Sequence, residues 1–337
     1  MTYIKGISIA AAMLATTATV AFAEAPTTLG IGVLLSTGPE AAWDGTFLRD
    51  LEATIEASPH DLDISYKNVN GAWGEEAGNA MDLFARSGQY QIIWGHSTYS
   101  DQVKELQVKY PEILFVLVGS GNEGLGGNAY WAYKRLHEPS YLLGVMAGEL
   151  TESDVIGVVG QFPSEDVNDQ INSFFAGASS VNADVQRKVA FIESWYDPAK
   201  AEQFTNAQIA AGADQIFQLV ESFETCEKAG IMCYGNYVDQ AINSPQSVVA
   251  SATMSWSEDI KWVIDTWYDH ASNGTPYDGN VVENWISMAD GGTGLSGYHD
   301  YESRVSDDLK AKISGLSADI TSGELVIPVD LSVPTSD

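Results

Sequence analysis

The chain has 337 residues, 45% of them hydrophobic and 18% charged, which is enough apolar mass for two domains of ordinary size. Its 46 acidic residues face only 16 Lys and Arg, leaving a formal charge of −30. That balance excludes a nucleic-acid binder, which needs a basic footprint, and it opposes docking on anionic lipid. Residues 1–23 read as a secretory signal, not as fold. Lys5 supplies a positive start, Ile7 to Val20 is an uncharged apolar run, and Ala21-Phe22-Ala23 gives the small-residue cleavage pattern before Glu24. The run is short of the ~20 residues that span a bilayer, and no later segment reaches that length, so direct membrane insertion is not expected. No Cys follows the cleavage pattern, and soluble export to a periplasm is the expectation.

Leu29 to Leu35 opens the mature part as a short buried strand, and Ala41 to Ala57 reads as a helix with Phe47, Leu48, Leu51 and Ile55 on one face. Ile64 to Val69 is a second strand, Glu75 to Ser87 a helix, and Tyr90 to Trp94 a third strand. A further helix ends at Tyr110 before Pro111, and Ile113 to Val118 is a fourth strand. After Asn128 the alternation pauses, and Tyr130 to Leu150 reads as an aromatic link feeding a helix. It restarts at Val155, with strands at Val189–Glu193, Gln215–Leu219, Met232–Gly235 and Val248–Ala250. A helix around Ile260–His270 and a Gly-rich ending of short polar strands cross back between the two units. The tail past Pro328 is expected to be loosely held. Strands alternating with helices at this spacing give an α/β fold of two doubly wound parallel-sheet lobes, whose strand-end loops form a crevice.

Cys226 and Cys233 are the only cysteines, at the end of one predicted helix and in the next strand. An oxidising compartment permits a bridge between them, and two buried free thiols are the alternative. With no His nearby they do not make a zinc site, and neither metal nor cofactor is expected. Gly119-Ser120-Gly121-Asn122-Glu123-Gly124 matches the spacing of a dinucleotide loop, but it follows the fourth strand and continues as loop instead of opening a helix. The five histidines are scattered singly, and only His96 is placed in the crevice. Ser97 beside it could mimic part of a hydrolase dyad, yet adjacent residues rarely face each other productively, so binding suits that loop better.

Tryptophans carry the functional signal. Trp43, Trp73, Trp94, Trp195 and Trp256 all fall at or just after predicted strand ends, in both units. Indole offers a wide π-face for stacking a planar ring, whereas the alternative for each is core packing at an interdomain seam. Their gathering at strand-end loops favours a ring-stacking pocket led by Trp43 and Trp195. The other candidate ligand-binding residues are Asp44, Trp94, Tyr99, Phe162, Tyr196, Gln218, Asn236, Asp239 and Trp256. Asp239 reads equally as a helix N-cap.

Several stretches resemble the basic membrane protein family, binding components of ABC importers that include purine-nucleoside binders. Tyr141-Leu142-Leu143-Gly144-Val145-Met146-Ala147-Gly148 is similar to the family's Y-L-A-G-x-x-A-G helix. Ile156 to Gly160, Phe174 to Gly177 and Gly212 to Ile216 continue the likeness. Trp195-Tyr196-Asp197-Pro198-Ala199-Lys200-Ala201 looks like its W-x-D-P-x-K-A loop, and Gly235 through Asp239-Gln240 like its G-x-D-x-D-Q loop. The resemblance implies type I periplasmic-binding lobes joined by three crossovers, with permease and ATPase subunits as partners. Lobe 1 is then residues 24–129 plus about 253–284, and lobe 2 is 130–252 plus about 285–337. A monomer is expected. The family's acidic first loop is replaced here by Gly38 to Asp44, the first Asp of its G-x-D-x-D-Q loop is Tyr237, and Ser251-Ala252-Thr253-Met254 lacks the Lys that nucleoside binders tend to carry. These losses remove polar groups that would hold a ribose and favour a free nucleobase or similar flat heterocycle. A periplasmic sensor subunit with the same lobes is one rival. The other is an exported nucleoside hydrolase, which would need a carboxylate cluster in one strand-end loop.

Overall fold

In the computed structural model, residues 25–337 are described; the signal segment read at 1–23 lies outside the described residues. The first lobe begins with five strands, β1 (Thr28–Leu35), β2 (Asp63–Asn70), β3 (Ile92–His96), β4 (Leu114–Val118) and β5 (Ala129–Lys134). Helices α1 (Ala42–Ala57), α2 (Gly74–Ser87) and α3 (Ser100–Lys109) connect the first four. A sixth strand, β11 (Asn284–Ile286), arrives from far along the chain, and the sheet order is β11-β5-β4-β3-β1-β2, all parallel. β3 and β4 are buried at every position, as central parallel strands covered by helices on both faces must be.

The second lobe repeats the plan with β6 (Val155–Gly160), β7 (Gln186–Phe191), β8 (Gln215–Gln218), β9 (Met232–Tyr237) and β10 (Val248–Met254). α5 (Glu165–Val181), α6 (Pro198–Ala210) and α7 (Phe223–Ala229) connect the first four of these. β12 (Thr293–Leu295) adds an antiparallel pairing at this sheet's edge, giving the order β12-β10-β9-β8-β6-β7. The chain crosses between the sheets three times. The crossings run through α4 (His137–Leu150), through α8 (Ser257–Asn273), and through residues 287–292 between β11 and β12. This is the two-lobed α/β architecture expected from the sequence. Among the described residues no helix is long and apolar enough to cross a membrane.

The small-residue helix motif has a packing cause. A Cβ on Gly144 of α4 would sit 1.8 Å from the Phe174 carbonyl oxygen of α5, and one on Gly177 would sit 2.0 Å from the Tyr141 carbonyl oxygen. The two backbones touch there, which only glycine allows. α4, the first crossing, is thereby fixed to the second lobe.

Three expectations are corrected. Residues 129–134 are a strand of the first sheet, not a link: Phe115, Val116 and Leu117 of β4 pair with Ala129, Tyr130 and Trp131, so the first lobe keeps the chain to Lys134. The Gly-rich ending contains a 16-residue helix, α9 (Asp307–Ser322), whose cap Ser306 accepts from the Leu309 N–H at 3.2 Å and which stops at Gly323. The tail past Pro328 is held. Asn168 and Asn172 side chains donate to the carbonyls of Leu331 and Asp330 at 3.1 and 2.9 Å, and Arg187 pairs with Asp337 at 2.7 Å. Arg187 lies on β7, an edge strand whose free backbone groups the tail covers: the Val189 N–H donates to Ser336 Oγ at 2.9 Å. Cys226 of α7 and Cys233 of β9 are joined in a disulfide, the first of the two alternatives.

Candidate functional site

Between the lobes lies a cavity of about 330 Å³, within the range of small-molecule sites. Every segment lining it follows, or ends, a strand at its carboxyl end. Ser36 and Thr37 come after β1, Ser97 and Thr98 after β3, and Gly119, Ser120 and Gly121 after β4. From the facing lobe, Gln161 follows β6, Trp195 follows β7, Glu221 follows β8, and Tyr237 closes β9. Trp43, at the start of α1, and Asp166, in the first turn of α5, complete the pocket from opposite sides.

Asp44 builds the first wall without lining it. Fully buried, its carboxylate accepts from the Thr37 N–H at 2.7 Å, the Gly38 N–H at 3.0 Å and the Thr37 hydroxyl at 2.8 Å, and from the Ser36 hydroxyl at 3.0 Å. Burial pushes its pKa up, against the pull of those hydrogen bonds. Trp73 adds an indole N–H to the Ser36 carbonyl at 3.1 Å. The loop bearing Ser36 and Thr37 is thus fixed before any ligand arrives.

Trp43 is held from behind. Its N–H donates to the His96 carbonyl at 3.2 Å, Trp256 meets it edge-on at 5.1 Å, and Tyr237 of the other lobe does so at 5.4 Å. With its one donor used inward, it offers the cavity an apolar ring. Trp195 stands on the loop before α6, where Asp197 caps the helix by accepting from the Lys200 N–H at 3.0 Å and Pro198 opens its first turn. Phe162 supports Trp195 edge-on at 4.9 Å.

Of the residues proposed from sequence, the structure brings Trp43 and Trp195 together in the cavity wall, with Phe162 behind Trp195 and half-buried Tyr196 next to it. The others lie elsewhere. Trp94 is core, its N–H on His96 Nδ1 at 3.1 Å, and His96 itself is buried behind Trp43 rather than in the crevice. Tyr99 is core, with its hydroxyl on the Ala72 carbonyl at 3.0 Å, and Trp256 is buried under the Lys134 ammonium, 4.6 Å from the ring. Gln218 donates to Thr205 at 2.8 Å, and Asn236 is buried in β9. Asp239 takes its capping alternative, accepting from the Ala241 N–H at 3.2 Å and pairing with His299 at 2.6 Å. The cause is common to Trp94, Gln218 and Asn236. Side chains on strand bodies point into the layers between sheet and helix, whereas the cleft is faced by residues at or just beyond strand ends.

A family described as ABC transporter substrate-binding protein PnrA-like matches residues 53–330. The chain belongs to this family. A purine-binding protein of Brucella abortus (strain 2308) is 27% identical over 298 residues, which is 86% of this chain and 80% of that protein. A putative ABC transporter glucose-binding protein of Haloferax volcanii is 25% identical over 242 residues, 71% of this chain and 59% of that one. An ABC transporter solute-binding protein from Aeropyrum pernix K1 has the same fold, with a TM-score of 0.72 at 17% identity, covering 90% of this chain and 94% of that structure.

In this PnrA-like chain the cleft is acidic. No Lys, Arg or His is among the described lining residues, whereas Glu165, Asp166 and Glu221 are. Two of these carboxylates latch the lobes. Asp166 accepts from Ser120 Oγ of the first lobe at 2.7 Å, as well as from Ser164 Oγ at 2.8 Å. Glu221 accepts from the Ala42 N–H of the first lobe at 3.3 Å, and burial pushes its carboxyl above the usual range. Sequence reasoning passed over Gln161, Asp166 and Glu221. Their signal is positional, a polar residue just after an apolar strand or in the first turn of the helix that follows one.

Proposed function

We propose that this protein is the periplasmic solute receptor of an ABC importer and clamps a flat heterocycle, a nucleobase or close analogue, between its lobes. The observation that carries the reading is that two indoles from opposite lobes, Trp43 and Trp195, line one cavity of about 330 Å³. Stacking supplies affinity for any planar ring, and hydroxyls and carboxylates at the strand ends orient it. Closure excludes water and strengthens those few polar contacts. The guest is then handed unchanged to a permease and its ATPase, the receptor acting as an exported monomer. Tyr237 supports a base over a nucleoside. It stands where the family resemblance expects a ribose-holding Asp, and its ring instead packs against Trp43 while its hydroxyl accepts from Gln161 at 3.3 Å.

Calorimetric titration with purine and pyrimidine bases, their nucleosides and glucose tests this. A base is expected to bind tightest. Trp195→Ala should weaken that binding by about 10- to 100-fold, since stacking on one aromatic contributes roughly 1–3 kcal/mol per base. Heat from glucose alone, or from no flat ring at all, would overturn the assignment.

A further inference from the structure

A flat guest in this cavity is oriented by the ring edge that its buried polar groups can satisfy, and the carboxylates and the Gln161 amide oxygen among them are acceptors. Gln161 is 4% exposed, and its amide nitrogen donates to the Leu219 carbonyl, so its carbonyl oxygen is the end left over. That oxygen is buried and has no partner. A buried acceptor without a donor is costly unless something arrives to satisfy it. Glu221 lies two residues past Leu219, on the neighbouring strand end, and also lines the cavity. Its Oε1 accepts one long bond from the Ala42 N–H at 3.3 Å. Asp166 differs in that its Oδ1 is committed to Ser120, Ser164 and the Val167 N–H, holding that carboxylate to the latch and leaving Oδ2 free. The unpartnered Gln161 oxygen and the Glu221 carboxylate thus stand together at neighbouring strand ends, with Asp166 Oδ2 as a further acceptor in the wall.

We infer that the ligand is a heterocycle presenting adjacent N–H donors, a ring N–H beside an exocyclic amino group, and that Glu221 is the residue that selects it. A carboxylate takes two parallel N–H groups with its two oxygens, and Gln161 Oε1 can take a third. The same lining disfavours any guest carrying phosphate, because among the described lining residues no cation would neutralise it. This inference rests on the proposed heterocycle reading and narrows it to one chemical class.

Guanine and hypoxanthine differ by one exocyclic amino group and serve as the probes, with guanosine monophosphate as the anionic control. Wild-type protein is expected to bind guanine at least about tenfold tighter than hypoxanthine and to show no measurable heat with the monophosphate. Glu221→Gln keeps an acceptor for the Ala42 N–H but replaces the second oxygen with a donor. In that variant the preference should fall to about threefold or less, through loss of guanine affinity. Equal binding of the two bases by wild type overturns the inference and leaves the heterocycle reading standing, and so does a preference that survives in Glu221→Gln. Binding of neither base overturns the inference, and the heterocycle reading falls with it only if the other purine and pyrimidine bases also give no heat. If Glu221→Gln does not fold, the wild-type comparison decides alone.

Discussion

His96 sits next to the pocket, yet its burial turns it from a candidate ligand group into a pH sensor of folding. Its ring is packed between Phe47 at 4.4 Å and Trp256 at 4.7 Å, and burial lowers its pKa from 6.5 to about 3. An unfolded chain takes up the proton near pH 6.5 and the folded chain only near 3, so between those values the unfolded state binds more protons. Stability therefore falls as pH falls through that window, by at most about 1.4 kcal/mol per unit from this group. Asp44, Glu221 and Asp259, whose carboxyls burial pushes up, contribute slopes of the opposite sign. Comparison with a variant isolates the histidine. Urea denaturation of wild type and His96→Gln at pH 7, 6 and 5 should show the gap in unfolding free energy closing by up to about 1.4 kcal/mol per unit below pH 6.5; a gap independent of pH would refute a neutral buried imidazole. The same residue marks how far single letters can be read. Trp43 and Trp195 are legible because an indole on a solvated loop has no cheap explanation. Trp94, His96 and Trp256 look the same in sequence, yet each is core, since only the pleat and the distance past a strand end decide which way a ring faces. Asp166 is hidden for another reason: at the start of a helix an acid reads as a cap.

At the scale of elements, the crossings between lobes are tied by polar groups in an otherwise apolar seam. Lys134, the last residue of β5, pairs with Asp259 in the first turn of α8, and both side chains are fully buried. Asp50 of α1 accepts from the Trp256 N–H at 2.6 Å and from the Ser255 hydroxyl at 3.0 Å, fixing the start of the same helix. Burial pushes the Asp259 carboxyl up to about 6 and pulls the Lys134 ammonium down, so the pair is held by its mutual attraction against desolvation. Lys134→Met should cost about 3–5 kcal/mol in urea denaturation, because it strands a buried carboxylate. Lys134→Met with Asp259→Leu should recover most of that loss, and a double variant no more stable than the single one would show the pair is a net stabiliser. Most elements are legible in the sequence, because apolar runs broken by Gly, Pro and amphipathic stretches are local signals. β5 is not, since Tyr130-Trp131-Ala132-Tyr133 reads as a link until β4 and the three-residue strand β11, far along the chain, supply its partners. α9 carries Leu309, Ile313, Leu316 and Ile320 at helical spacing, but Gly315 and several Ser and Thr among its other positions read as turn and loop residues. The held tail is illegible locally for the same reason as β5: what orders it is the open edge of β7.

For the whole molecule, a formal charge of −30 makes closure an electrostatic problem as well as a packing one. Like charges flank the cleft on both sides. Glu40 comes from the first lobe and Glu221 from the second, and both raise the pKa of the Tyr196 hydroxyl, after burial. The Ser120 and Ala42 bonds that latch the lobes must therefore form against repulsion between acidic faces. Salt shortens the range of that repulsion, from about 10 Å at 0.1 M to about 3 Å at 1 M, and barely touches the buried apolar contacts. Raising NaCl from 20 mM to 500 mM should thus relieve self-repulsion by on the order of 1–2 kcal/mol, lifting the melting temperature by about 2–8 °C and then levelling off. Closure on a neutral guest gains from the same screening, so its affinity should rise with salt by a few-fold. Sucrose at matched osmolality strengthens burial by exclusion without screening, and it should not reproduce the plateau. A melting temperature that is flat or falls over this range would mean that the surface carboxylates are too well solvated to repel, and that the latches close the cleft unopposed.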